Sequence, residues 1–535
     1  MCDCRASVIR AGAIAALVAA MASPSYAQAP QPAPAAPAAL AAPARQLPLE
    51  EAIRLALQNN LNLRVERMNP ELQDLAIDQA RTAWTPNLIG SATATRRLSP
   101  ISSFFAGATD VLRNNGFTSE VGVNQVLPWG ANYTVTWDTS RTRTNSVFNS
   151  PNPSLGSNLN FSFSQPLLKD FKVNAARHQL LVSKANREIS DIELRQTVLT
   201  TIRSVKYAYW NLKSAAAALD VANQSLDLAR EALRNNKSKV EIGTMAPIDV
   251  VEAEAEVARR TESVIAAEAG VRSAEDQLRT IILDSKEPDY WTTHFSLTDE
   301  PVFAAQTLDV EAVVRTALEK RTDLRQSRRN LEVTRETIKY QRNQTLPDLS
   351  AKIGYGLTGQ GGTKINFGPG FPPPILDTRE EGWDKVISRL VSNDFNNWSV
   401  GVSFSYPLGK GAAEAQLART RLQLSQAELQ LQNLELQVAT SVRDVVRNVQ
   451  TNQLKLASSR ATRTLMERRA QAEQKKFAAG LSTNFLVFQA QRDLADAQYA
   501  ELVALLDYNK SLVDLETVQE APTAGSAVVQ VAAGR

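Results

Sequence analysis

The sequence predicts an α+β membrane protein that combines amphipathic β-strands of a shared barrel with long α-helices of a coiled coil. Two regions alternate apolar and polar side chains with the period of a β-strand. The regions that follow them carry an apolar residue every seven positions, which is typical of a coiled-coil helix. Both kinds of region recur in the same order in the second half, so the fold is predicted to contain an internal two-fold repeat.

Residues 1–27 are predicted to be a signal peptide. Two arginines precede an apolar run, and the small residues after it place cleavage behind Ala27. The run is too short for a membrane anchor, which needs about 20 apolar residues, so secretion is the favoured interpretation. Cys2 and Cys4 would leave with this segment. We therefore expect the mature chain to contain neither a disulfide nor a thiolate metal site.

The rest of the chain shows an internal duplication. Leu49–Arg64 resembles Val310–Arg325, and the same offset aligns Pro86 with Pro347. One register held over this distance favours duplication over chance. The predicted segments are a linker rich in alanine and proline at 28–45, a first repeat at 46–283, a linker at 284–307, a second repeat at 308–518 and a disordered tail at 519–535.

Strand-like alternation follows the short helices of each repeat, at about 87–165 and about 348–406. The runs of about 9 to 10 residues have the length of a tilted membrane strand. A soluble β-sandwich would show the same alternation, but the polar positions carry Ser, Thr, Asn and Gly, as the lumen of a membrane barrel does. Pro128-Trp129-Gly130 predicts a turn in an extra hairpin at 120–142, and the alternation leaves open whether this hairpin joins the barrel.

About four such strands, with or without the extra hairpin, cannot enclose a pore within one chain. An open sheet edge in lipid would leave backbone groups without hydrogen-bond partners. We therefore expect several copies to share one barrel. Three copies with four strands each would give about twelve strands.

Long helices are predicted at about 174–240, 248–283, 410–477 and 484–515. The first would extend for about 100 Å at about 1.5 Å per residue, further than a globular core can cover. Its seam alternates large apolar residues with alanine, and an ordinary soluble coiled coil would show the same pattern. Gly243 and Gly480 begin the turns between paired helices, as expected of a residue that commonly ends a helix.

Composition argues against other functions. The net charge of +3, from 59 basic and 56 acidic residues, gives no electrostatic argument for binding nucleic acid. His178, expected on a helix surface, is far from His294, and no catalytic or metal-binding spacing is visible. Glu252, Glu254 and Glu256 are expected to form a solvated face of a helix or part of a tube wall. We therefore expect no enzymatic activity, cofactor, bound metal or nucleic-acid partner.

The whole arrangement resembles the TolC-type outer-membrane efflux protein family over about residues 48–518. The most specific pieces are the helix start at Leu49–Asn59, the strand ends SQPL and SYPL, and the turns VEIGTMAPIDV and FAAGLSTNFLV. The resemblance implies a trimeric outer-membrane β-barrel continued by a long periplasmic α-helical coiled-coil barrel. It also implies a homotrimer in outer-membrane lipid that works with a periplasmic adaptor (membrane fusion) protein and an inner-membrane transporter.

The resemblance further implies roles for residues at the two turns. Adaptor hairpins would dock at Val240, Gly243, Thr244, Phe477, Gly480 and Leu481. A periplasmic gate would be formed by Asp249, Ser482, Leu486 and Gln489. Phe477 and Ser482 replace a tyrosine and an arginine of the family pattern, and Leu486 and Gln489 replace a pair of aspartates. We therefore expect apolar and amide packing to close this gate.

The favoured function is the passive outer-membrane channel of a tripartite efflux or secretion system. The alternative is a structural coiled-coil tether or adhesin of the cell envelope, which would need no membrane strands. Drugs, metals and proteins all remain open as exported substrates.

Overall fold

A computed structural model describes residues 45–100, 111–146, 149–304, 307–370, 374–409 and 411–522. The signal peptide predicted at 1–27, residues 28–44 of the predicted linker and residues 523–535 of the predicted tail lie outside the described residues.

The first half consists of β1 (Arg45–Leu47), α1 (Leu49–Asn59), α2 (Leu61–Arg81), β2 (Asn87–Pro100), β3 (Val111–Val126), β4 (Asn132–Thr144), β5 (Ser154–Pro166), α3 (Ala175–Glu241) and α4 (Pro247–Ile282). The second half consists of β6 (Phe295–Leu297), α5 (Val310–Lys320), α6 (Thr322–Gln344), β7 (Asp348–Phe367), β8 (Ile375–Glu381), α7 (Trp383–Val391), β9 (Asn396–Ser405), α8 (Ala412–Ala478) and α9 (Asn484–Val518).

The helices of the two halves match in length. The long helices α3 and α8 have 67 residues each, and the return helices α4 and α9 have 36 and 35. The two repeats differ in the connections before these helices, because the segment from Pro166 to Ala175 is longer than the one from Pro407 to Ala412.

The long strands form one antiparallel sheet in the order β2-β3-β4-β5-β7-β9. β8 pairs with the outer part of β7, from Gly362 to Phe367, on the side where β9 pairs with Asp348 to Leu357. The extra hairpin left open by the sequence is β3 and β4, and it is part of this sheet. With this hairpin, the path through the sheet crosses six strands of one chain, the larger of the two alternatives that the sequence left open.

The sheet has one apolar and one polar face. One row across all six strands is apolar and consists of Leu88, Val123, Val135, Phe161, Tyr355 and Trp398. The neighbouring row on the other face consists of Ile89, Gly122, Thr136, Asn160, Gly356 and Asn397. The apolar face is exposed, with Val121, Ile353 and Val400 at 52%, 47% and 70%. It is therefore not the inner face of a sandwich, the soluble alternative left open by the sequence.

Two helical cores lie beyond the sheet. In the first core, β1 pairs in parallel with β6, and Leu47 and Phe295 pack with Tyr209 of α3. In the second core, α5 packs against α8 and α9, with Ala317 and Val442 both fully buried. The large apolar residues at heptad positions of the long helices are thus buried where shorter helices cover them.

Two segments predicted as irregular contain ordered structure. Arg45, predicted to end a linker, belongs to β1, and the predicted linker 284–307 contains β6. The predicted disordered tail at 519–535 is ordered at its start, because the carbonyl of Glu520 accepts a hydrogen bond from the N–H of Thr322 at 2.9 Å. Ala521 is fully buried. These short pieces gain their order from pairing with distant residues, which local composition does not reveal.

No helix within the described ranges combines the length and the apolar character needed to cross a membrane.

Candidate functional site at the helical turns

The turn between α3 and α4 has the hydrogen bonds of a Schellman motif. The N–H of Thr244 donates to the carbonyl of Lys239 at 2.9 Å, and the N–H of Gly243 donates to the carbonyl of Val240 at 3.0 Å. Gly243 has φ +75°, a left-handed conformation that a side chain disfavours. Pro247 then begins α4 with its fixed φ. The chain therefore reverses within a few residues.

The turn between α8 and α9 repeats this geometry. The N–H of Leu481 donates to the carbonyl of Lys476 at 2.9 Å, and the N–H of Gly480 donates to the carbonyl of Phe477 at 3.0 Å. Gly480 has φ +74°. The hydroxyl of Thr483 caps α9 by accepting a hydrogen bond from the N–H of Leu486 at 3.4 Å. The two turns therefore share the same pattern of backbone hydrogen bonds and a left-handed glycine.

The six residues predicted for docking separate into two groups. Gly243, Thr244, Gly480 and Leu481 are exposed at the apices, and Val240 and Phe477 lie half-buried on the helices before them. Leu481 is 79% exposed. Sequence reasoning missed three further exposed apolar residues at the turns, namely Ile242, Ile248 and Phe485.

A cation–π contact joins the two hairpins near their apices. The ammonium group of Lys239 on α3 lies 4.4 Å from the centre of the Phe477 ring on α8. Such a contact contributes about 0.5–1 kcal/mol at an exposed site. Phe477 therefore has a partner in the first hairpin, although it lacks a hydroxyl. Lys239 was not predicted, because the heptad pattern alone does not show which helix lies opposite.

The four predicted gate residues are divided between the hairpins. Asp249 lies in the first turn of α4, and its carbonyl accepts a hydrogen bond from the Asn236 side chain at 3.4 Å. Ser482, Leu486 and Gln489 belong to the other hairpin. In the part of the chain that the structure describes, no hydrogen bond joins Asp249 to any of these three.

Ser482 has a partner within its own hairpin. Its hydroxyl donates to the carboxylate of Glu473 on α8. This hydrogen bond, with a second one from Lys476, lowers the pKa of Glu473. The pair fixes the C-terminal turn of α8 to the segment that leads into α9.

A buried charge cluster connects the hairpins above the turns. Glu256 of α4 is 5% exposed, and its carboxylate lies 2.9 Å from Arg259, 2.9 Å from Arg260 and 3.9 Å from Arg492 of α9. The small, buried Ala229 of α3 lies beside this cluster. Of the two alternatives for the acidic residues, the solvated face is wrong for Glu256, because α9 covers this part of α4. The expectation holds for Glu254, whose pair with Lys237 is half-exposed.

Neither histidine lies at these turns. His178 was expected on a helix surface, but it is half-buried and stacks on Tyr340 of α6 with ring centres 4.7 Å apart. Burial lowers its pKa. His294 lies 3.1 Å from Glu275. Across the described ranges, no group of three or more possible metal-binding side chains occurs.

The chain is similar to known proteins over most of its length. Residues 52–282 and 313–518 match the family described as outer membrane efflux protein. Outer membrane protein TolC of Escherichia coli (strain K12) is 23% identical over 334 residues, which are 61% of this chain and 63% of that protein. The chain thus matches less than two thirds of the length of this relative.

Two solved structures show the same fold. The outer membrane channel CmeC of Campylobacter jejuni superposes with a TM-score of 0.63 at 17% identity, covering 88% of this chain and 85% of that one. The outer membrane protein VceC of Vibrio cholerae superposes with a TM-score of 0.60 at 16% identity, covering 88% and 96%. Because the family match includes both repeats and both turns, the chain belongs to the outer membrane efflux protein family, whose members are channels of the outer membrane with a periplasmic extension.

Proposed function

We propose that three copies of this chain form a passive duct from the periplasm to the exterior, as the channel component of a tripartite efflux or secretion system. The β-strands form the wall in outer-membrane lipid, and the long helices continue the duct into the periplasm. A periplasmic adaptor protein and an inner-membrane transporter open it. The chain itself performs no chemical reaction in this role.

One observation carries the proposal. The sheet exposes an apolar face across six strands and ends in two edges, β2 and β9. In lipid, apolar side chains are favourably placed, but an open edge leaves N–H and C=O groups without partners. Pairing the edges of several copies gives these backbone groups hydrogen-bond partners. The opposite face, with Thr136 and Asn160, would then line a water-filled lumen.

The helical turns support the role of the adaptor. They place apolar side chains such as Ile242 and Leu481 in solvent, at 73% and 79% exposure. Exposed apolar groups at the end of a long coiled coil favour a protein partner. We assign the adaptor contact to Val240, Gly243, Thr244, Phe477, Gly480 and Leu481, with Ile242 as an additional member.

The gate is assigned to the same end of the duct. Leu486 is 41% exposed, and Gln489 follows it by one turn of α9. In a ring of three copies, these side chains would meet across the axis and close it by apolar and amide packing. Asp249 and Ser482 would lie beside them.

Heat-modifiability and bilayer recording together test the proposal. Outer membranes should yield a species that migrates as a trimer in SDS without heating and as a monomer after boiling. The purified trimer should conduct ions in planar bilayers. A structural tether would be found in the envelope fraction without conductance, and a water-soluble monomer would contradict the membrane role altogether.

A further inference from the structure

The number of strands that each chain supplies determines the width of the duct. The sheet path begins at β2 and ends at β9, and all ten residues of β9 are exposed. β8 extends the same edge beyond β9, because both strands pair with the same side of β7. The sheet therefore has six strand columns and two free edges.

We propose that all six columns enter the shared barrel, so that three copies close a wall of eighteen strands in which β9 of one copy pairs with β2 of the next. This inference rests on the proposed trimeric duct and specifies its size. It differs from the twelve strands that the sequence led us to expect.

Strand direction permits this closure. Neighbouring strands in the sheet are antiparallel throughout. Because the number of columns is even, β2 and β9 run in opposite directions. A β2 strand from the next copy can therefore continue the antiparallel order, which is the order of bacterial outer-membrane barrels. β2 has 14 residues and can pair with the whole of β9, which has 10.

The position of the hairpin β3–β4 argues for its place in the wall. It lies between β2 and β5, so removing it from the wall would break two strand pairs. Its outward side chains continue the apolar face through Val121, Val135 and Trp137. On the polar face, the Asn158 side chain of β5 donates to Asp138 of β4 at 2.6 Å. Both faces of the hairpin thus match those of the strands beside it.

The width agrees with the helical part of the duct. Strands about 4.8 Å apart and tilted by about 40° give a circumference of about 110 Å for eighteen strands and about 75 Å for twelve. If each copy supplies α3, α4, α8 and α9, about twelve helices at about 8–10 Å spacing give about 95–120 Å. The larger barrel continues this tube without a narrowing. Its backbone diameter is about 36 Å, against about 24 Å for twelve strands, so the cross-section is about doubled.

Cryo-electron microscopy of the full-length trimer in lipid nanodiscs counts the strands directly. Eighteen strands in a three-fold ring are expected, with β9 beside β2 of the next copy. A trimeric ring of twelve strands would overturn this inference and leave the duct intact. A monomer with its apolar face buried in its own core would overturn the duct itself.

Cysteine labelling provides an independent readout that does not need a new structure. The only cysteines of the sequence are Cys2 and Cys4, which lie in the predicted signal peptide. An introduced cysteine would therefore be the one thiol of the mature chain that can react. Thr136→Cys on the polar face of β4 should react with a charged maleimide in intact outer membranes, and the adjacent Val135→Cys should react at least tenfold more slowly. Equal rates for the two variants would place the hairpin outside the wall. A deletion of β3 and β4, which leaves four columns, should reduce the strand count of any trimer that assembles from eighteen to twelve.

Discussion

The cluster around Glu256 predicts how firmly the two hairpins of one chain are held together. We consider the nearly isosteric change Glu256→Gln, which removes one negative charge. The side chain of Glu256 is 7% exposed and faces Arg259, Arg260 and Arg492, of which only Arg259 is largely in water, at 65%. Without the carboxylate, three guanidinium groups repel each other around an amide. Removing one partner of a buried ion pair costs about 3–5 kcal/mol, and the solvation of Arg259 favours the lower limit of about 3 kcal/mol.

Arg492→Gln should have a smaller effect. At 3.9 Å, the attraction between Arg492 and Glu256 has a gross magnitude of about 4 kcal/mol at an effective dielectric constant of about 20. Arg492 is 34% exposed, so solvation offsets most of this attraction and leaves about 1 kcal/mol. Glu256 also keeps Arg259 and Arg260. The two variants should therefore differ by about 2 kcal/mol, or about thirtyfold in an equilibrium constant.

We take separation of the two hairpins on opening of the proposed duct as a hypothesis, which single-channel recording tests through the pair that crosses between them. Arg492→Gln should raise the ratio of open to closed time by about fivefold, taking the free energy above. Glu256→Gln should raise it further, because it removes the same attraction and leaves Arg492 facing Arg259 and Arg260 of α4. The double variant should fall between the two single variants, because Arg492→Gln removes one of the three guanidinium groups that repel each other in Glu256→Gln. Glu254→Gln is the matched control, since its pair with Lys237 is half-exposed and should contribute less than about 0.5 kcal/mol. Equal effects of Glu256→Gln and Arg492→Gln would refute the reasoning.

Three further predictions concern the gate, the turns and the lipid face. Replacing Leu486 and Gln489 together with alanine should raise the single-channel conductance, and an unchanged conductance would reject their assignment to the narrowest point. Gly480→Ala places a side chain at φ +74° and should destabilise the α8–α9 turn by about 1–2 kcal/mol. Calorimetry should then show weaker adaptor binding. Ala479→Ser, at an ordinary φ, is the control. Val400→Lys on the apolar face should cost about 2–4 kcal/mol and lower the yield of SDS-resistant trimer, whereas the neighbouring Ser399→Lys on the polar face should not; similar yields would contradict the assignment of faces.

The strand and helix regions could be predicted because their periods differ and persist. The alternation from Trp398 to Tyr406 follows the period of a strand, and the heptads of α3 and α8 follow the period of a helix. In each segment many residues repeat the same pattern, so its secondary structure can be predicted from the sequence. Gly243 and Gly480 were identifiable as helix ends because the left-handed conformation selects glycine. The duplication strengthened both predictions, because each half provided an independent copy of the pattern.

The pairing between distant elements could not be read in the same way. The sequence showed that a hairpin exists at 120–142 but not that β2 and β5 lie on either side of it, since register depends on strands far apart in the chain. Glu256 looked like any acidic residue on a helix, because only the position of α9 shows that it is covered. Lys239 and Phe477 were missed as a pair for the same reason.

The matched 67-residue lengths of α3 and α8 constrain how this protein can change in size. An insertion in one of them would move one turn away from the other, and the contact between Lys239 and Phe477 would be lost. A spacer compatible with the packing would have to comprise whole heptads, each adding about 10 Å, and would have to enter all four long helices together. A longer or shorter version of this molecule, suited to a cell with a different distance between its two membranes, is therefore reached by coordinated steps and not by single insertions.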